Sequence, residues 1–333
     1  MKTILLTGAT GFVGRHIVEE ALRKGFQIIA SVRESSNLDF LKEKNIPFVY
    51  LSLHNTKKLS CELNELQNKY GNIEFVIHNA GVTQSLKNKS YYDVNFQLTN
   101  NLLNAVSDLK NPPKFIFMSS MAAIGSGQEF SLKPIRETDS PNPITHYGKS
   151  KLKAEELLMN QEIVPWIIVR PTAVYGPWEK NIFSMIKLVN NGFEFYVGSK
   201  EQTLSFIHVF DLADAVISLC ESNISNEDFN LSDGQAYSSM RLNQLLKSIL
   251  KKKTLSIVVP IALVRIIAFF SEIVGYLTQK APILNCDKVN ELKQINWICD
   301  NSKIIKELGF SPKFTLESGM RETIKWYENN GWL

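Results

Sequence analysis

Cysteine is scarce in this chain: four in 333 residues, at Cys61, Cys220, Cys286 and Cys299, with no CxxC pair. Histidine is scarce too, with five copies. Neither a disulfide framework nor a metal centre is expected from so thin and scattered a supply. A dominant charge sign is also missing. Lys+Arg is 37 against 33 Asp+Glu, a formal +4 spread along the chain, so no nucleic-acid footprint is expected. No stretch reaches about 18 apolar residues without a charge, and a membrane-spanning helix is therefore not expected. The opening MKTILLTGATGFVG meets glycine too soon for the apolar region of a secretory leader, which makes the cytoplasm the expected compartment. Internal repeats, low-complexity tracts and an obvious flexible linker are absent as well.

What is present is an ordinary globular composition, 44% hydrophobic and 21% charged, which excludes a disordered or collagenous chain. Short apolar runs alternate with helical periodicity. Strands are expected at Thr3–Thr7, Ile28–Val32, Phe48–Leu51, Phe75–His78, Phe115–Met118 and Ile167–Val169. Helices are expected at Phe12–Lys24, Leu59–Lys69, Asp93–Leu109 and Tyr147–Asn160, the first closed by Gly25. Apolar strands separated by helices predict an α/β fold, a doubly wound parallel sheet covered on both faces. The second half is less regular. It reads as a loop at Arg170–Trp178, a strand at Leu204–His208, and helices near Phe183–Asn190, Val209–Glu221, Arg241–Leu250, Ile261–Leu277, Ser302–Leu308 and Glu317–Asn329. The expected division is residues 1–170, the alternating α/β part, and 171–333, a smaller, mostly helical part that returns a segment to the sheet.

The segment Thr7-Gly8-Ala9-Thr10-Gly11-Phe12-Val13-Gly14 lies between the first strand and the first helix, with the spacing GxxGxxG. Glycines there permit a tight turn and close approach of a pyrophosphate, which the free N–H groups of the helix start would bind. Gly8, Thr10, Gly11, Phe12, Val13 and Gly14 are the candidate cofactor contacts of this turn. Four further motifs follow in order: His78-Asn79-Ala80-Gly81, Ser119-Ser120 ahead of Gly125, Tyr147-Gly148-Lys149-Ser150-Lys151, and Arg170-Pro171-Thr172-Ala173-Val174-Tyr175-Gly176-Pro177. Together they span most of the chain. They resemble the extended short-chain dehydrogenase/reductase family of the NAD(P)-dependent epimerase/dehydratase type. The nearest likeness is to 3β-hydroxysteroid dehydrogenase and dihydroflavonol reductase-like members.

The resemblance implies a Rossmann-type fold and a catalytic set of Ser120, Tyr147, Lys151 and Asn95. Tyr147 and Lys151 are four apart and share a helix face. An ammonium beside the phenol is expected to lower the tyrosine pKa from about 10 and ready it for proton exchange with a substrate oxygen. Relatives place the catalytic serine or threonine five residues before the glycine matching Gly125, which selects Ser120 over Ser119. Asn95 matches an asparagine that orders the lysine-bearing helix or a bound water. Asn79, Ala80 and Gly81 would run beside the cofactor, as would Pro171, Thr172, Ala173 and Val174, while Thr83 would touch cofactor or substrate.

The end of the second strand reads the adenosine ribose in such folds. Val32 stands where NAD-using relatives carry aspartate, and Arg33 matches the arginine of NADP-using ketone reductases. The expected cofactor is NADP, with NAD the alternative if Glu34 turns inward. Arg15 is placed to assist or to lie on the surface, and Ser52 replaces an aspartate that relatives often set near the adenine. Relatives acting on sugar nucleotides carry an arginine four residues before the histidine matching His208; here the position is Leu204. That disfavours a diphosphate substrate unless Arg241 or Lys200 compensates. The apolar Val258–Leu277 segment reads as core, as cleft lining or as a membrane-surface contact. The expected activity is hydride transfer between nicotinamide and a hydrophobic secondary alcohol or ketone. The alternative is a nucleotide-sugar epimerase or dehydratase. A homodimer is expected through the helices at Asp93–Leu109 and Tyr147–Asn160, with peripheral membrane contact as a further option.

Overall fold

The structure, a computed structural model, describes residues 1–129, 131–198, 201–282 and 284–333. The first half alternates β1 (Thr3–Thr7), α1 (Phe12–Arg23), β2 (Gln27–Ser31), α2 (Asp39–Glu43), β3 (Phe48–Val49), α3 (Thr56–Tyr70) and β4 (Phe75–His78). It continues through α4 (Asn88–Tyr92), α5 (Leu98–Ser107), β5 (Lys114–Met118), α6 (Met121–Ile124), α7 (His146–Met159) and β6 (Trp166–Pro171). The second half holds β7 (Ala173–Tyr175), α8 (Asn181–Asn190), β8 (Phe193–Val197), β9 (Thr203–Leu204), β10 (Phe206–His208), α9 (Val209–Glu221) and β11 (Glu227–Leu231). After these come β12 (Tyr237–Ser238), α10 (Ser239–Leu250), β13 (Leu255–Val259), α11 (Ile261–Thr278), α12 (Cys286–Leu292), β14 (Asn296–Trp297), α13 (Ser302–Leu308) and α14 (Leu316–Asn329).

Seven parallel strands form the main sheet in the order β11-β6-β5-β4-β1-β2-β3. This is the Rossmann-type arrangement expected from the alternating pattern. The period of two divides each strand between two cores. Ile4, Leu6, Ile28 and Ala30 meet α1 and α9 on one face, whereas Leu5, Ile29 and Val76 meet α3, α5 and α7 on the other. Burial on both faces explains the unbroken apolar runs. The order reverses between β1 and β4, so the crevice at their carboxyl ends is where a ligand belongs in such a sheet.

The division expected at residue 170 falls inside β6. The chain beyond it returns β11 to the sheet edge and packs α9 against α1. The rest gathers a separate core of Tyr175, Phe206, Leu242, Leu246, Leu316, Met320 and Tyr327. Leu204 packs at the border of that cluster.

Several expected elements differ. The single strand at Leu204–His208 is two, because Ser205 turns aside to bond Gln235 and Cys299. The Arg170–Trp178 loop contains β7, which pairs with β10. The helix expected from Asp93 opens with a π-helical turn at Asp93–Gln97. The pair β8–β13 and helix α12 had no reading in the sequence, since long-range partners rather than local periodicity define them.

Helix α11 carries most of the apolar Val258–Leu277 segment. Among the described residues it is long and apolar enough, by length and composition, to cross a membrane. Arg265 and Glu272 are its sole charges, too few to offset the apolar remainder. It is not a core helix either, because only Val264, Ala268 and Gly275 are buried.

Candidate active site

The glycine turn joins the carboxyl end of β1 to the start of α1. Gly8 has φ +74°, and a Cβ there would lie 2.9 Å from the backbone nitrogen of Ala80. Gly14 is under a harder constraint, since a Cβ would come within 2.0 Å of the Gly8 carbonyl oxygen. Side chains at these two positions would fill the cradle between the turn, α1 and the segment after β4. Helix α1 has no side-chain cap and no acid in its first turn, so its leading N–H groups are open to an anion. Thr10, Gly11, Phe12 and Val13 are partly or fully exposed around this opening. The residues present therefore fit a dinucleotide pyrophosphate.

Across the switch point, the backbone N–H of Ala80 donates to Thr7 Oγ1 at 3.0 Å, and Asn79 Nδ2 reaches the Gly8 carbonyl at 3.4 Å. These bonds fix Asn79–Gly81 beside the turn. Thr7 Oγ1 also meets His78 Nδ1 at 2.8 Å, and His78 Nε2 meets Thr99 Oγ1 at 3.0 Å. Burial, with Lys151 nearby, holds His78 down at about 3, so this imidazole is neutral. Sequence reasoning gave His78 no role beyond its motif. Its two threonine partners are 71 and 21 residues away, so no local pattern reveals the link.

Asn95 lies in the π-helical turn and is fully buried. Its amide accepts from the Val82 N–H at 2.8 Å and donates to the Val82 carbonyl and to Ser150 Oγ, both at 3.0 Å. Ser150 Oγ in turn donates to the Tyr147 carbonyl at 2.7 Å. Asn95 thus ties the segment after β4 to α7. Such turns often aim a side chain inward at functional sites. Thr83, one residue past this clamp, is exposed.

The Ser120 hydroxyl lies toward the Tyr147 phenol, where it favours the ionised form. Ser120 caps α6, its Oγ accepting from the Ala122 N–H at 3.2 Å. Ser119 turns the other way and donates to the buried carboxylate of Glu155. Glu155 is held by Arg170, whose Nη2 donates at 2.8 Å, and Arg170 also pairs with Asp228. This buried network binds α7, β6 and β11 together.

One electrostatic expectation is corrected. The Tyr147 phenol is not lowered; burial pushes it up to about 12, against the opposing influence of the Ser120 hydroxyl. Lys151 does not relieve this, because its buried ammonium donates to the Met118 carbonyl at 2.7 Å. Burial also brings Lys151 down to about 8, the carboxylate of Glu155 opposing. Tyr147 is therefore a neutral proton donor across the neutral range, and Lys151 titrates near its upper edge.

Thr172 Oγ1 is buried without a partner among the described residues. It stands where β6 hands over to β7, with Pro171 buried and Ala173 exposed and Val174 partly so. An unpaired hydroxyl there is a second sign that this edge takes a polar ligand.

At the other end of the crevice, Ser31 and Val32 are buried, whereas Arg33 and Glu34 are exposed. The Arg33 guanidinium makes no ion pair among the described residues. Arg15 is instead stacked between rings, 4.9 Å from the centroid of Phe40 and 4.5 Å from that of Trp178. Ser52 bonds Glu62 at 2.7 Å, so a carboxylate reaches this position from α3. Arg241 is exposed on α10, and Lys200 lies outside the described residues.

Next to Tyr147, a cavity of about 460 Å³ is lined by Ser85, His146, Arg265, Glu272, Tyr276 and Asp287, among others. Its lining stops at His146 and does not include Tyr147 or Ser120. Asp287 anchors this wall by accepting from the His146 N–H at 2.8 Å. Tyr91 adds a second link, accepting from the Ser85 N–H at 3.1 Å. The α12 wall was missed in the sequence; Asn285, which caps it by accepting from Lys288 N–H, was its one local signal.

Comparison with known proteins adds the family. The model of the NAD dependent epimerase/dehydratase family matches residues 4–232. A UDP-glucose 4-epimerase of Vibrio cholerae is 29% identical over 97% of this chain and 94% of its own. The sterol-4-alpha-carboxylate 3-dehydrogenase, decarboxylating, of Dictyostelium discoideum is 24% identical over 97% of this chain and all of its own. Among solved structures, dTDP-glucose 4,6-dehydratase from Bacillus anthracis in complex with NAD superposes with a TM-score of 0.78 at 20% identity, covering 100% of this chain and 98% of that one.

Proposed function

The chain belongs to the NAD dependent epimerase/dehydratase family, and from that premise we propose that it is an NADP-dependent oxidoreductase of a hydrophobic secondary alcohol or ketone. The observation that carries the chemistry is the Ser120 hydroxyl placed toward the Tyr147 phenol, with Lys151 one helical turn on. A nicotinamide dinucleotide bound along the glycine turn supplies the hydride. Tyr147, neutral at ordinary pH, gives its proton to the developing alkoxide oxygen, and Ser120 donates to the same oxygen. Lys151 holds the cofactor ribose side of the site, anchored through Met118. Gly8 to Gly14, Asn79 to Gly81 and Pro171 to Val174 bind and orient the dinucleotide.

Two features support the finer reading. Arg33 is an uncommitted cation at the ribose end, and the neighbouring Val32 offers no carboxylate to repel a 2′-phosphate. Leu204 packs against apolar side chains where relatives acting on sugar nucleotides place an arginine, which leaves a diphosphate without that partner. A second reading, a nucleotide-sugar epimerase, is favoured by the Vibrio cholerae relative. Calorimetric titration with UDP-, GDP- and dTDP-sugars, beside NADPH consumption on a panel of apolar ketones, separates the two. Ketone turnover without nucleotide-sugar binding is expected. Nucleotide-sugar binding competed by the free nucleoside diphosphate would establish the second reading instead. Pairing of α5 and α7 into a homodimer is part of the proposal, and light scattering in solution would test it.

A further inference from the structure

Helix α11 has two unlike sides. Val264, Ala268 and Gly275 are buried, the first two against Val289 of α12. Arg265, Glu272 and Tyr276 turn toward the cavity beside His146, and Tyr276 OH donates to the Leu86 carbonyl at 2.8 Å. The remaining arc carries Leu263, Ile266, Ile267, Phe270, Ile273, Val274 and Leu277, spaced three and four apart, all exposed. Phe270 is 60% and Leu277 81% exposed. The β8–β13 pair, which leads into α11 through Pro260, adds Phe193, Phe195 and Leu255, exposed on one of its faces. An exposed apolar helix face of this size marks an interaction site in a folded protein.

Charge decides what it meets. Residues 251–280 hold Lys251, Lys252, Lys253, Arg265 and Lys280 against one carboxylate, Glu272, which faces the cavity. Their net +4 equals that of the whole chain, so the remainder is neutral on balance. All four lysines are exposed, three before the β13–α11 unit and one just after it. A second copy on the same patch would oppose these cations to themselves, because a two-fold contact lays one surface on its own image. An anionic lipid surface instead offers hydrocarbon to the apolar arc and phosphate groups to the lysines.

We propose that the outer face of α11, with the β8–β13 pair, docks flat on an anionic membrane surface. The charged inner side and the contacts with α12 and Leu86 keep the helix on the protein, so it lies on the bilayer without crossing it. The mouth of the cavity beside His146 is then held near the lipid headgroups. The proposal stands apart from the substrate reading and is tested without turnover.

The full chain is sedimented with vesicles of phosphatidylcholine alone and of phosphatidylcholine with phosphatidylglycerol. Binding to the anionic vesicles should exceed that to neutral ones by about tenfold or more, and should weaken in high salt. Ile267→Ser/Phe270→Ser/Leu277→Ser should abolish it, and Lys251→Gln/Lys252→Gln/Lys253→Gln should reduce it to the neutral-vesicle level. NADPH binding by both variants should match the parent, showing that they are folded. Equal binding by parent and serine variant would overturn the proposal, as would absence of binding to either vesicle. A dimer that the serine substitutions dissolve, with no vesicle binding, would assign the face to a second copy. Resistance to alkaline carbonate extraction would show a span.

Discussion

Lys151 Nζ donates to the carbonyl oxygen of Met118 across 2.7 Å. Met118 ends β5, and Ser120, two residues on, faces Tyr147. One strand end therefore holds both side chains that α7 brings to the site, and they are spaced by a single turn. The lysine is fixed by this bond and by burial against the Phe117 ring, 4.7 Å from its centroid.

That placement predicts a pH dependence. Lys151 sits at about 8, below its ordinary 10.5, because burial disfavours the charged form. It is cationic below about 8 and neutral above, while Tyr147 stays protonated up to about 12. The kcat/KM for ketone reduction should be level near neutrality and fall as pH rises through about 8. Lys151→Arg, which stays charged, should lose that alkaline limb at a lower plateau. An unchanged limb in the arginine variant would place the titration on another group. Stability should move oppositely: the folded form sheds this proton before the unfolded chain does, so it gains stability between about 8 and 10.5.

Tyr147→Phe keeps the ring and removes the acid. Turnover should fall about 10²–10⁴-fold, with cofactor affinity nearly unchanged by fluorescence titration. Full activity would move proton transfer to another residue.

The two adjacent serines should separate cleanly. Ser119→Ala removes a donor from buried Glu155, which Arg170 still binds, and should cost about 1 kcal/mol in denaturant unfolding with kcat largely retained. Ser120→Ala should reduce kcat by about tenfold or more with a smaller loss of stability. The reverse pattern would exchange their roles.

Arg33→Ala should weaken NADPH binding by about 1.5–3 kcal/mol and leave NADH unaffected. Equal affinity of the unaltered protein for both cofactors would refute the 2′-phosphate contact. Arg15, committed to the rings of Phe40 and Trp178, should show a smaller preference on substitution to alanine.

Local sequence determined the sheet and the order of its motifs. Apolar runs of strand length alternate with helical spacing, and glycines stand where β1 must turn sharply into α1, so neighbouring residues suffice to specify these parts. The same holds for the one-turn spacing of Tyr147 and Lys151. Tertiary structure decided what depends on distant partners. The distance to Gly125 selects Ser120 over Ser119, but the role of Ser119 is set by Glu155, 36 residues on, which claims its hydroxyl. Tyr147 rises instead of falling because burial outweighs the Ser120 hydroxyl, while Lys151 is turned to the Met118 carbonyl. The Val258–Leu277 run reads as core, as cleft lining or as a membrane-surface contact, since apolar composition does not say what covers it. Helix α11 packs three residues inward, turns others to a cavity and leaves Phe270 and Leu277 exposed, and only the folded chain sets those neighbours in place.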